Sequence, residues 1–349
     1  MNIGLSAFEK GRGGIKGVVQ GLFLIVFVFL STPVWSAHDI SELILDNGLK
    51  VIVKPDHRSP IAVFQIWYKV GSSYEQKGRT GVSHMLEHLM FKGSQNWILQ
   101  AGFNRLNDIG ARGNAYTHRD HTFYYHMLKN DHLELSFQVE AERMKGIKPT
   151  QQDFDIEKKV ILEELEYANT KDPHLPAYEA LYEQAFKKSG YRLPIIGYPE
   201  DIKALELPEV LSWYQRYYSP GNATIVVTGD VDKREVFALA RKYFSVINKK
   251  PPEPQPVVSE TGSQKEQRYV MPEKTKVGMI LMGFRVPSLA TAKPAWEAYA
   301  LDVLAGWFES GHNSRLSKAM IIDQKLAYEV SVTFSIMKRQ DTLFVIEVI

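Results

Sequence analysis

The chain contains no cysteine. That excludes a disulfide framework, a thiol nucleophile and any thiolate metal site. A metal ion held here must take its ligands from histidine and carboxylate, a donor set that suits a catalytic zinc better than a closed structural one. An excess of one charge is also lacking: 42 basic against 40 acidic side chains leave a net charge of +2. With both signs interspersed, there is no concentrated basic face of the kind that binds nucleic acid. The apolar run from Gly21 to Leu30 falls short of the about 20 residues that a membrane span requires. It follows Lys10, Arg12 and Lys16 and precedes Pro33, Ser36 and Ala37, the order of a secretory signal peptide. Residues 1–37 are therefore expected to be an export signal, and the protein to be periplasmic. Cleavage after Ser36 puts Val34 at the third position back, whereas cleavage after Ala37 puts Trp35 there. The alternative is a retained segment anchoring the domain to the inner membrane.

What is present is ordinary for a globular protein. The 349 residues, 44% hydrophobic and 23% charged, suffice for two domains and a sizeable core. Leu43 to Val53 reads as a hairpin turning at Asn47-Gly48, and Ile61 to Val70 as a strand ending at Gly71. A helix opens near Gly81, Tyr116 to Met127 looks extended, and helices follow over Leu133–Lys145 and Asp153–Asn169. Pro173 and Pro176 mark the break after the second of these. Ala223 to Asp230 is a buried-type strand followed by an amphipathic helix through Tyr243. Lys249 to Pro256 is proline-rich and extended, a linker between a first domain at 38–248 and a second at 269–349. Beyond it a strand over Lys276–Val286 and a helix over Trp296–Phe308 repeat the order that opens the first domain. The chain stops on the apolar strand Leu343 to Ile349, which would leave an unpaired edge, so the second domain is expected to be incomplete.

The most informative residues are His84-Met85-Leu86-Glu87-His88. Two imidazoles four apart lie one above the other on a helix and can reach one ion. Glu87, three residues after His84, holds a carboxylate beside a metal-activated water. This H-x-x-E-H order inverts the H-E-x-x-H zinc-protease motif. A catalytic zinc needs a third protein ligand. The acidic helix offers Glu157, Glu163, Glu164 and Glu166, of which Glu157 and Glu164 are two turns apart and share a face. The bland reading of all four is a solvated charged surface. His118, His121, His126 and His132 match no single face of a helix or strand and read as surface or strand positions rather than a second metal site.

Gly81 to Ser94 resembles the signature of the insulinase/pitrilysin family of zinc peptidases, family M16. Asn114-Ala115-Tyr116-Thr117 with Asp120, Thr122 and Tyr124 is similar to the family's strand beside the metal. Tyr218 to Ala223 and on through Gly229-Asp230 resembles the closing strand of its N-terminal domain. The likeness implies an α+β fold of two related domains, each a largely antiparallel sheet with helices on one face. It implies that Glu164, in the pattern E-x-x-V-I-x-x-E, is the third ligand beside His84 and His88, and that Glu157 positions a ligand. It further implies a zinc cofactor, Glu87 as general base and then acid, and Asn114 and Ala115 on an edge strand that pairs with an extended peptide substrate.

One position departs from the family pattern. Ser314-Arg315-Leu316 to Leu326-Ala327-Tyr328 resembles a segment that supplies an Arg and a Tyr to the active site. Tyr328 matches the tyrosine, but Ile321 stands where the arginine is expected, and isoleucine cannot stabilise an oxyanion. A homologous partner chain, or a second copy, would restore the missing donor. The expected function is zinc-dependent peptide-bond hydrolysis. The alternative is a non-catalytic, family-like subunit of a two-chain assembly.

Overall fold

The computed structural model describes residues 40–349 apart from 95–98, 172–173, 259, 261–264, 272–276 and 310–313. The expected export signal, 1–37, lies outside the described residues. Among the described residues no helix is long and apolar enough to cross a membrane.

The first sheet begins with β1 (Ser41–Ile44) and β2 (Lys50–Pro55), joined through Asn47-Gly48. Gly48 has φ +86, the left-handed conformation this tight turn demands and a side chain resists. β3 (Ile61–Tyr68) alternates strictly, with Ala62, Phe64, Ile66 and Tyr68 buried. The helix α1 (Val82–Leu89) and the helix α2 (Leu99–Asp108) follow. The stretch expected to be continuously extended from Tyr116 is instead a hairpin, β4 (Arg112–Thr117) and β5 (Thr122–Lys129), paired from Arg112↔Met127 to Thr117↔Thr122. The helices α3 (Leu133–Lys145) and α4 (Gln151–Lys171) come next, close to the spans read from the sequence.

Three helices that the sequence pattern did not announce occupy the next stretch: α5 (Leu175–Ala185), α6 (Pro199–Ala204) and α7 (Leu207–Tyr217). Pro at the first turn, where its missing N–H costs nothing, opens each of them. β6 (Ala223–Gly229) then enters the first sheet between β2 and β3, and α8 (Lys233–Phe244) returns over it. The strand order is β1-β2-β6-β3-β5-β4, antiparallel except for the β2–β6 pair. Inward residues of these strands, among them Val51, Phe64, Tyr124 and Ile225, share one core with Met85, Leu86 and Leu89 of α1 and Phe137 of α3. The helices thus cover one face, and β4 is left as an outer edge.

The segment 249–258 carries neither helix nor strand. After it come β7 (Ile280–Val286), the helix α9 (Trp296–Glu309), β8 (Val330–Thr333) and β9 (Thr342–Val348), forming a second sheet in the order β7-β9-β8. One-sided cover describes the first sheet only. In the second, Leu343 and Val345 pack with Phe186 and Tyr191 beside α5, while Phe344 and Ile346 face Ala305 and Leu301 of α9. The reason is β9 itself: an apolar run with little alternation has two faces to bury.

Candidate metal centre

The site is built on α1, whose register is fixed at both ends. Gly81, just before it, has φ +84, and a Cβ there would lie 2.4 Å from the carbonyl oxygen of Ile196, so only glycine fits. The first amides of a helix lack intrahelical acceptors. Here the buried carboxylate of Glu75 supplies them, accepting from Gly81 N and Ser83 N at 2.8 Å each. Asp201 of α6 holds the approach to the helix, accepting from the amides of Gly78 and Thr80 and from the Thr80 hydroxyl. Val82, Met85, Leu86 and Leu89 seat the helix in the core.

Burial pushes the Glu75 carboxyl up from the usual 4.5 to about 7, against the lowering effect of its hydrogen bonds with Ser83 and Gly81. The folded chain therefore keeps a proton there that the unfolded chain releases near pH 4.5. Its contribution to stability is complete below that pH and is lost as pH rises through about 7. Glu75→Gln should flatten the decline in stability across this window. Urea midpoints measured from pH 4.5 to 7 will check this, and an unchanged slope would contradict it.

α4 presents Glu157, Ile161 and Glu164 along one face towards α1; Glu157 and Ile161 are buried. Glu164 Oε2 lies 3.8 Å from His84 Nε2 and 3.6 Å from His88 Nε2. Among the described residues this is the one group of three metal-type donors, all within 4.8 Å of one another. Tetrahedral zinc with bonds of about 2.0–2.1 Å spaces its ligand atoms by roughly 3.3 Å. The two glutamate–histidine separations are thus within about half an ångström of that spacing, and the donor set fits the ion. Glu163 is exposed and belongs to no such group.

The protonation directions agree with this use. Burial, with His88 as neighbour, pushes His84 down to about 4, which keeps the imidazole lone pair available. For His88 burial acts downward, but hydrogen bonds with Glu164 and Glu157 carry it upward. Glu164 is lowered, first by its hydrogen bond with His88. His88 Nδ1 donates to Glu157 Oε2 at 2.8 Å, which sets the tautomer and turns Nε2 towards the triad. Glu157 is in turn paired with Lys92 at 2.5 Å. By contrast, His84 Nδ1 is buried without a hydrogen-bond partner.

Glu87 lies on the same helix, its carboxylate accepting at 2.6 Å from the hydroxyl of Thr117 on β4. Burial raises the Glu87 pKa, and the Thr117 hydrogen bond opposes that rise. A carboxyl moved towards neutral range is suited both to take up a proton and to give it back.

Lys92 and Thr117 had no role assigned from sequence. Lys92 comes four residues after His88, just beyond the end of α1, and Thr117 shares the parity of Ala115 on β4, so both signals were present but weak. Removing the Lys92 charge loosens the carboxylate that orients His88. Lys92→Met should weaken zinc binding about tenfold. Competition with a chromogenic chelator will measure it; an unchanged affinity would show that Glu157 needs no such support.

Of the other expected site residues, Asn114 is exposed and Ala115 buried on the edge strand β4, opposite Tyr125 and Tyr124. Tyr328 is 81% exposed, its amide donating to Ile349 O, and no described contact joins it to the triad. Ile321 lies in the wide helical turn Lys318–Asp323. His126 is buried 3.3 Å from Glu140, and the His118 and His121 rings meet at a tilt, 4.8 Å between centroids.

Fold and site together define an α+β protein with a two-histidine, one-carboxylate triad and a further carboxylate on the same helix. Residues 50–198 match the family model described as insulinase (peptidase family M16), and residues 204–349 match the peptidase M16 inactive domain. The chain belongs to the insulinase family, M16. The second match begins before α7, so it takes in α7, β6 and α8, which pack with the first sheet. The zinc protease PqqE of Helicobacter pylori is 30% identical over 290 residues, 81% of this chain and 64% of that protein. The chain thus spans a little under two thirds of that relative. The crystal structure of a protease from Helicobacter pylori superposes with a TM-score of 0.76 at 24% identity, covering 88% of this chain and 74% of that one. The periplasmic protease PqqL from Escherichia coli gives 0.71 at 20% identity, covering 88% of this chain and 35% of that one. These likenesses establish the fold.

Proposed function

We propose that the chain is a zinc-dependent metallopeptidase that hydrolyses peptides or unfolded protein segments. The observation that carries this reading is the convergence of His84, His88 and Glu164 beside a half-buried Glu87 whose pKa burial raises. His84, His88 and Glu164 would hold the ion. When bound, zinc supplies Lewis acidity, activating water near neutral pH and polarising the scissile carbonyl.

The remaining chemistry belongs to the chain. Glu87 takes a proton from the attacking water and passes it to the leaving amine. Thr117 holds one Glu87 oxygen, fixing the direction in which the other points. Glu157 keeps His88 in one tautomer. The open edge of β4, at Asn114 and Ala115, is the surface on which an extended peptide adds as a strand. Such pairing reads backbone rather than side chains, so cleavage should be broad in sequence. Tyr328 and the donor absent at Ile321 belong to the second half; a homologous chain or second copy completes the oxyanion contact. Export by the 1–37 segment would place the enzyme in the periplasm.

A quenched peptide of mixed sequence, offered to the purified chain, tests the reading. Cleavage should stop on chelation and return with zinc. Cleavage that survives chelation would overturn it. The retained triad also speaks against a purely structural subunit, in which the metal ligands would have no task.

A further inference from the structure

A cavity of about 500 Å³ lies outside the metal centre, where the loop 73–79, the turn 187–193, α7 and the segment 255–258 meet. None of His84, Glu87, His88, Glu157 or Glu164 lines it. Its volume is within the range of small-ligand sites. One wall is aromatic: Trp213 and Tyr217 rings are 4.5 Å apart between centroids, and Tyr74 meets Tyr217 edge-on at 5.8 Å.

The charges around it are unequal in their engagement. Every carboxylate in the lining is already committed. Glu209 pairs with Arg79 at 3.0 Å, Glu183 with Arg192 at 3.7 Å, and Glu75 with the amides at the start of α1. Several cations are not. Lys77, Lys187 and Lys188 have no carboxylate partner among the described residues, and Arg216 has only the Tyr217 ring, 5.2 Å from its guanidinium. The turn carrying two of these lysines already favours negative charge. The successive amides of Lys187, Lys188 and Ser189 all donate to one oxygen of Glu260, at 3.0, 2.5 and 2.8 Å. Three amides converging on one oxygen form an anion nest, and here the chain fills it with its own carboxylate. The ammonium groups beside that nest remain for a ligand.

We propose that this cavity binds a small dianion carried on an aromatic or apolar body, as in a phosphate monoester or a dicarboxylate. Trp213, backed by Tyr217 and by Tyr74 under the Arg339 guanidinium, takes the body, and Lys77, Lys187, Lys188 and Arg216 take the charge. The ligand's two charges would pair with these cations, so affinity should fall as salt screens the attraction. The site does not depend on the peptidase reading, because binding is measured without any peptide.

Isothermal titration of the zinc-loaded full chain at low ionic strength tests the proposal, with phenyl phosphate and isophthalate as probes. Saturable one-to-one binding is expected, with Kd below about 1 mM. Binding of both probes, or of either alone, supports the site and identifies the charged group it prefers. The double variant Lys187→Gln/Lys188→Gln should weaken binding at least about tenfold. The control pair Lys54→Gln/Lys69→Gln removes the same charge elsewhere and should change it by less than about twofold. Absence of saturable binding by both probes, or equal weakening by the two pairs, would overturn the proposal.

Discussion

Glu87→Gln should leave zinc bound and reduce peptide cleavage about a thousandfold, the scale of a lost general base. The amide keeps the size of the carboxylate and can still accept from the Thr117 hydroxyl, so α1 and its two histidines should stay where they are. What is lost is the ability to accept a proton. Metal content by atomic emission and turnover of a quenched peptide must be read on the same sample. Retained activity at full zinc occupancy would remove Glu87 from the reaction. Lost zinc would assign it to the metal instead.

Replacing Glu164 with alanine should have the opposite signature: metal is lost first, and activity with it. Glu164 brings a carboxylate oxygen to 3.8 and 3.6 Å from the two imidazole nitrogens, so its removal leaves two protein donors where three are needed. Outer-sphere substitutions at such sites weaken metal by about 10- to 100-fold, and loss of a direct ligand should exceed the upper figure. Glu163→Ala is the matched control. Its carboxylate is one residue away on the same helix and exposed, and it should bind zinc as the unaltered chain does. Equal loss in the two variants would point to a general effect on α4 rather than to ligation.

Local signals made much of the fold readable. Asn47-Gly48 announced the first hairpin, an apolar run ending at Gly71 announced β3, and the four-residue spacing of the histidines put both on one helix face. The seven-residue separation of Glu157 and Glu164 put them on one face, while the choice of Glu164 over its neighbours came from family likeness. In the fold Glu164 lies 3.8 and 3.6 Å from the two imidazoles, and Glu157 meets the Nδ1 of His88.

What could not be read depends on distant partners. α5 has no fully buried residue and no sharply apolar face, because Leu181 and Tyr182 gain cover from β7 and β9, more than 90 residues later in the chain. Thr117 is one polar residue on a strand until β4 is laid against α1. The break between Tyr116 and Met127 was hidden because His118 to His121 carry neither glycine nor proline, the usual turn signals. Asp120 holds that turn instead, accepting from the hydroxyls of Ser73 and Tyr191 and from the amide of Arg339.

The central claim is that one zinc, held by His84, His88 and Glu164, serves hydrolysis by Glu87. Titrating the metal-free chain with zinc, while following occupancy and peptide cleavage together, tests it most directly. The account predicts that both rise in proportion and level off together at one zinc per chain. Cleavage before any zinc is bound, or one zinc bound with no cleavage of any peptide by the chain or its assembly, would contradict it.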